Sequence, residues 1–140
     1  MKLKKIAVVG MCLLCALMLS SCGNKSLPKG MDEKQVIAAG EQVFALLQED
    51  RFDEIAAMIR EDIRTELAIT GEKVKEQMDV DTSKSGQFKE VEETWTSGVN
   101  DEEDPHGIAW LECEFKEETL VFGFAFDTEM NLIGMSINRR

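Results

Sequence analysis

Residues 119–127 read TLVFGFAFD, and their alternation decides what kind of domain this is. Leu120, Phe122, Phe124 and Phe126 recur at every second position, which sets them on one face of an extended strand. Upstream, IAWLECEF at 108–115 alternates in the same way and groups Ala109, Leu111, Cys113 and Phe115. Downstream, NLIGMSIN at 131–138 groups Ile133, Met135 and Ile137. The gaps at 116–118 and 128–130 have the length of hairpin turns, which predicts three antiparallel strands. Further back, FKEVEETW at 88–95 is β-prone, with Val91 and Trp95 flanked by charges. The acidic NDEEDPHG at 100–107 is the longer connection between the two regions.

Before Gly86 the period is helical. Asp32 is a candidate N-cap for a first helix carrying Val36, Gly40, Val43, Phe44 and Leu47. After the break QEDRFD, with Asp53 as a possible cap, Phe52, Ile55, Ala56, Ile59, Ile63 and Leu67 form a second stripe. Thr70 caps a short third helix with Val74 and Met78, and DVDTSKSG at 79–86 reads as a polar loop. Helices followed by a strand meander predict an α+β domain, with N-terminal helices packed on a curved antiparallel sheet.

The chain has 140 residues, enough for one domain with a real core. Its formal net charge is −11. Lys2, Lys4 and Lys5 precede any acidic residue; without those three of the 16 basic side chains, 13 remain against 27 acidic ones. Such a surface repels phosphate backbones, which argues against nucleic-acid binding. MKLKK followed by the apolar run Ile6–Leu19 has the form of a secretory signal and is short for a membrane span, which needs about 20 residues. Leu19-Ser20-Ser21-Cys22 resembles the bacterial lipobox, which implies cleavage between Ser21 and Cys22 and diacylglycerol transfer to the Cys22 thiol. Two acyl chains make a stable anchor, at about 0.8 kcal/mol per buried methylene. The organisation expected is a signal peptide at 1–21, a flexible tether at 22–30 and a single α+β domain at 31–140. Cys12 and Cys15 fall inside the signal, so Cys113 has no partner for an intramolecular disulfide if Cys22 is acylated.

The order LLQEDRFDEI, SGQFKEVEE and WLECEFKEETLVFGFAFDTEMNLIGM resembles an uncharacterised domain family of Gram-positive lipoproteins. That family is similar to the nuclear-transport-factor-2-like, cystatin-like cone. The resemblance runs over about residues 32–138 and rests on Phe52-Asp53, Gly86 and Phe88, Cys113-Glu114-Phe115, and Ile133-Gly134. It implies the cone fold and a Gram-positive envelope, and no catalytic residues.

Chemistry is sparse. His106 is the only histidine, in a loop by composition, and zinc would need several Cys or His ligands. Cys113 sits on a face that reads as core, where a thiol is inert. Asp79, Asp81, Ser83, Gln87 and Glu90 have calcium-loop spacing, but Lys84 stands where the sharp turn needs glycine. No metal and no cofactor are expected.

Leu111, Cys113, Phe122, Phe124 and Met135 either fill the cone as a core or line an apolar pocket, and filling is the default of protein interiors. Trp95 and Trp110 line the concave face or pack at its rim. The reading is a membrane-anchored lipoprotein, held at the extracytoplasmic face through Cys22. It presents a non-enzymatic domain to a small apolar ligand or an envelope protein. The alternative is an isomerase- or dehydratase-like enzyme using carboxylate chemistry around Glu93 and Trp95.

Overall fold

In the computed structural model, which describes residues 26–140, the first helix begins where the sequence places its cap. The Asp32 carboxylate accepts from the Gln35 N–H at 3.1 Å and opens α1 (Glu33–Gln48). Val36, Gly40, Val43, Phe44 and Leu47 make its buried stripe. Gly40 permits close approach to the sheet: a Cβ there would lie 2.5 Å from that of Ala109.

The second apolar stripe is divided between two helices, α2 (Phe52–Met58) and α3 (Glu61–Glu66). Asp53 is not a cap; Arg51 holds that position without a side-chain bond. Helix geometry breaks at Ile59 and Arg60, both extended. Ile59 is buried and bridges Leu132 in parallel, and the Arg60 N–H donates to the Leu132 carbonyl at 2.8 Å. A tertiary partner overrides the local period there. Thr70 caps α4 (Gly71–Thr82) through the Lys73 N–H at 3.3 Å. Residues 79–82, read above as loop, continue that helix.

Four strands follow, β1 (Phe88–Val99), β2 (His106–Phe115), β3 (Thr119–Asp127) and β4 (Leu132–Arg139). They form one antiparallel sheet in sequence order. The domain is α+β, with the helices on one face of the sheet. The core lies between the layers and holds Leu111, Leu120, Phe122, Phe124 and Phe126 beneath α1, with Ile55 and Ala56 of α2 in the same cluster. Burying each such side chain stabilises by roughly 1.5–3 kcal/mol.

Three register shifts change what simple alternation predicts. They fall between Phe88 and Glu90, between Val91 and Glu93, and opposite Ala125 and Phe126. An extra residue inverts the phase of the pleat. Val91 therefore packs toward the helices while Trp95 lies on the other face. Likewise Met135 and Ile137 pack on the helix side, but Ile133 joins the opposite cluster.

Of the stretch expected as a tether, residues 22–25 lie outside the described residues, and from Ser26 the chain packs on the domain. Pro28 is buried and Leu27 packs against the core. The Asn100 side-chain amide donates to the Ser26 carbonyl at 3.0 Å. This segment crosses the paired Gly98 and Gly107; a Cβ at Gly98 would stand 2.0 Å from the Ser26 carbonyl oxygen.

Candidate functional site

Glu41, Phe44, Ala45 and Gln48 recur at helical spacing and form one wall of a surface hollow of about 410 Å³. Phe88 and Val91 at the start of β1 form the other, over Leu111. Beyond Phe88 a second, more polar hollow of about 210 Å³ includes Asp50, Met78, Asp79 and Thr82. The Phe88 ring divides the two. It meets Phe44 edge-on at 5.1 Å and Phe115 at 5.5 Å, and Phe44 meets Phe122 at 5.0 Å. Such edge-to-face contacts favour a fixed aromatic cluster. The hollow is therefore a pit in the rim of the core, with its interior side closed by rings.

The five residues read as possible pocket lining are gathered on the helix-facing side of the sheet. Leu111 and Cys113 have 0% exposure and Phe122 and Phe124 have 1%; Met135 is half-buried at the margin. Phe122 and Phe124 stack at 6.2 Å. They fill the interior, and of the five only Leu111 borders the larger hollow. Cys22 and Ser21 lie outside the described residues.

Burial pushes the Cys113 thiol up to about 12, with the Glu112 and Glu92 carboxylates adding to the shift. At neutral pH it is a protonated thiol whose Sγ–H points to the Leu111 carbonyl at 3.7 Å. His106 is the first residue of β2 rather than a loop residue, and is 3% exposed. Its Nδ1 lies 2.8 Å from the Asp104 carbonyl, an acceptor, so Nδ1 carries the proton. Seven residues of strand, about 23 Å, separate it from Cys113, and alternation puts the two on opposite faces. They form no nucleophile–base pair. Glu93 is exposed and lies with Trp95 on the sheet face away from the helices. Asp79 and Asp81 are helical, so the calcium-loop spacing has no loop.

Sequence reading missed Arg60. Its guanidinium donates to Asp62 at 2.7 Å, Asp104 at 3.0 Å and Asp127 at 3.4 Å. Asp127 also accepts from the Glu129 and Asn131 N–H groups. The cluster ties the α2–α3 break to the acidic loop and the β3–β4 turn. The Arg60 hydrogen bond holds the Asp62 carboxyl below its ordinary value. No local pattern marks such a residue, because its partners lie up to 67 positions away. The Phe44–Phe88 contact was also illegible: each phenylalanine was visible on its own element, but their meeting was not.

The family described as "Protein of unknown function (DUF3887)" matches residues 40–135. No curated protein matches the sequence. An NMR structure of a protein from Ruminococcus gnavus ATCC 29149 matches with a TM-score of 0.66 at 20% identity. The match covers 81% of this chain and 96% of that one. At that identity the likeness concerns the fold alone. Among the described residues no helix is long and apolar enough to cross a membrane.

Proposed function

The chain belongs to this DUF3887 family of unknown function, and from that premise we propose that it is a lipid-anchored, non-enzymatic interaction domain. It is held at the extracytoplasmic face of the cell membrane through Cys22 and binds an envelope protein through its outer surface. The observation that carries this reading is the filled interior. Leu111, Cys113, Phe122 and Phe124 occupy the space between sheet and helices where a cone-type domain would hold a ligand. Close packing of that kind leaves recognition to the outside.

The anchor rests on the Leu19-Ser20-Ser21-Cys22 string and on the short distance from it to the folded body. Ser26 is already packed against Gly98, so only Gly23, Asn24 and Lys25 intervene. Four residue steps from Cys22 to Ser26 span at most about 14 Å. A domain so tethered works close to the bilayer surface.

Two measurements test the reading. Mass spectrometry of the full chain purified from its own membrane should find a diacylated N-terminal Cys22; an unmodified N-terminus elsewhere sinks the anchor. A thermal-shift screen of the same material against sterols, fatty acids and small carboxylic acids should give no saturable shift. A ligand at a hundred times its Kd would stabilise by about 2.7 kcal/mol. A saturable shift abolished by Phe124→Trp in a folded protein would replace this reading with an internal pocket.

A further inference from the structure

The face of the sheet away from the helices has its own apolar cluster, built from strand residues alone. Ile108, Trp110 and Ala125 are buried in it, and Trp95, Val121 and Ile133 are half-buried at its margin. Trp110 lies flat across three strands. Its Nε1–H donates to Ser97 Oγ on β1 at 2.8 Å. Its ring occupies the space over Gly123 on β3, where a Cβ would come within 2.6 Å. Trp95 stacks on it at 6.2 Å and 18°. The result is a rigid indole platform whose outer layer is partly open to solvent.

Toward the far end the same face turns acidic. The register sets Glu93 opposite Glu112 and Glu90 opposite Glu114. Like charges directly across an antiparallel pair destabilise the sheet. The bulge adds Glu92, and the carboxylates of Glu90, Glu92 and Glu114 lie within 4.8 Å of one another. Arg140 reaches Glu112 at 2.6 Å and Lys89 reaches Glu114 at 3.5 Å. Among the described residues Glu90, Glu92 and Glu93 are exposed and hold no salt bridge with a basic side chain. Lost hydration, then Glu114, Glu112 and Glu90, raise the Glu92 carboxyl above its ordinary value.

Strand alternation thus makes one face apolar at one end and anionic at the other. From Ile108 to Glu114 it runs about 20 Å. A second copy would set these carboxylates either against their own kind or, with strands reversed, against the apolar end without a cation, and an anionic lipid surface or a nucleic acid would repel them. We propose that this face docks a segment of a partner protein in which an apolar stretch adjoins a cluster of lysines or arginines. The apolar side chains lie on Trp95 beside Val121 and Ile133. The cations sit among Glu90, Glu93 and Glu114 and relieve the like-charge pairs. This rests on the interaction-domain reading and names its partner class.

The test uses the full chain in zwitterionic lipid nanodiscs, titrated with the synthetic peptide acetyl-LVLVGKKKKK-amide, with empty nanodiscs subtracted. The readouts are the indole N–H resonances of Trp95 and Trp110 and a Kd from their shifts. Binding should be saturable and should weaken about tenfold between 50 and 300 mM salt. The double variant Glu90→Gln/Glu114→Gln should weaken it about tenfold, as should Val121→Ser. Glu72→Gln/Glu76→Gln on α4, which removes equal charge elsewhere, should leave it unchanged. The proposal is overturned if the peptide does not saturate, if the α4 control weakens binding as much, or if tetramethylammonium alone moves the same resonances as strongly. Any of these leaves the interaction-domain reading standing. An unacylated Cys22 or an internal ligand would fail that reading without altering the titration.

Discussion

Ala68 has φ of 48°, in the left-handed region, where it closes α3: its N–H bonds the Thr65 carbonyl and the Ile69 N–H bonds that of Arg64. A Cβ in that conformation costs roughly 1 kcal/mol or more, and glycine avoids it. Ala68 is exposed, so little packing is lost on removing its methyl group. Ala68→Gly should raise stability by about 0.5–1 kcal/mol, read from the denaturation midpoint. Glu92 gives a pH-dependent counterpart. Its carboxyl binds a proton more tightly in the folded state than at its ordinary value of 4.5, chiefly through lost hydration and the neighbouring carboxylates. Its contribution is therefore present below 4.5 and lost as pH rises through the raised value. Glu92→Gln should increase Tm at pH 7 and leave it unchanged at pH 3.5. An equal gain at both would show that the charge is not the cause.

At the scale of elements, the seating of α1 on the sheet depends on one missing methyl. By helix propensity alone, Gly40→Ala gains up to about 1 kcal/mol. At this position the new Cβ would stand 2.5 Å from that of Ala109 and 3.5 Å from the Phe124 ring. The strand cannot yield without disturbing the register of β2, so overpacking of about 1–3 kcal/mol outweighs the gain. Net destabilisation by chemical denaturation is expected; a more stable Gly40→Ala would mean that α1 is seated elsewhere. The bulges belong to this scale too. They split the β4 apolar set between two faces and so supply Ile133 to the indole platform.

Across the whole molecule, residues distant in sequence close one end of the sheet, where the β1–β2 and β3–β4 connections lie. Arg60 gathers Asp62, Asp104 and Asp127, and the entering chain lies over Gly98 and Gly107. Gly98→Val would drive a side chain into the Ser26 and Leu27 backbone. The expected result is release of residues 26–30 with the sheet intact. It would be read as faster tryptic cleavage after Lys29 at a nearly unchanged far-ultraviolet spectrum. Cleavage at the wild-type rate would show that this segment does not depend on the glycine pair. Since the proposed anchor is a few residues upstream, the same variant would also loosen the domain from the bilayer.

The amino-acid sequence by itself determined the α+β class, the caps at Asp32 and Thr70, and the helix-facing core from Ala109 to Phe126. Each depends on neighbours within a few positions, where period and capping chemistry act. The string Leu19-Ser20-Ser21-Cys22, on which the proposed anchor rests, is a matter of order alone. Tertiary structure decided the rest. The break at Ile59 and Arg60 follows from pairing with Leu132, more than 70 positions on. The faces of Val91, Trp95 and Ile133 follow from bulges, which alternation cannot anticipate because one inserted residue inverts every later side chain. The hollow at Phe44 and Phe88 and the opposed glutamates exist only once register is set. Local periodicity states which side chains share a face, whereas what that face meets is fixed by contacts between distant segments.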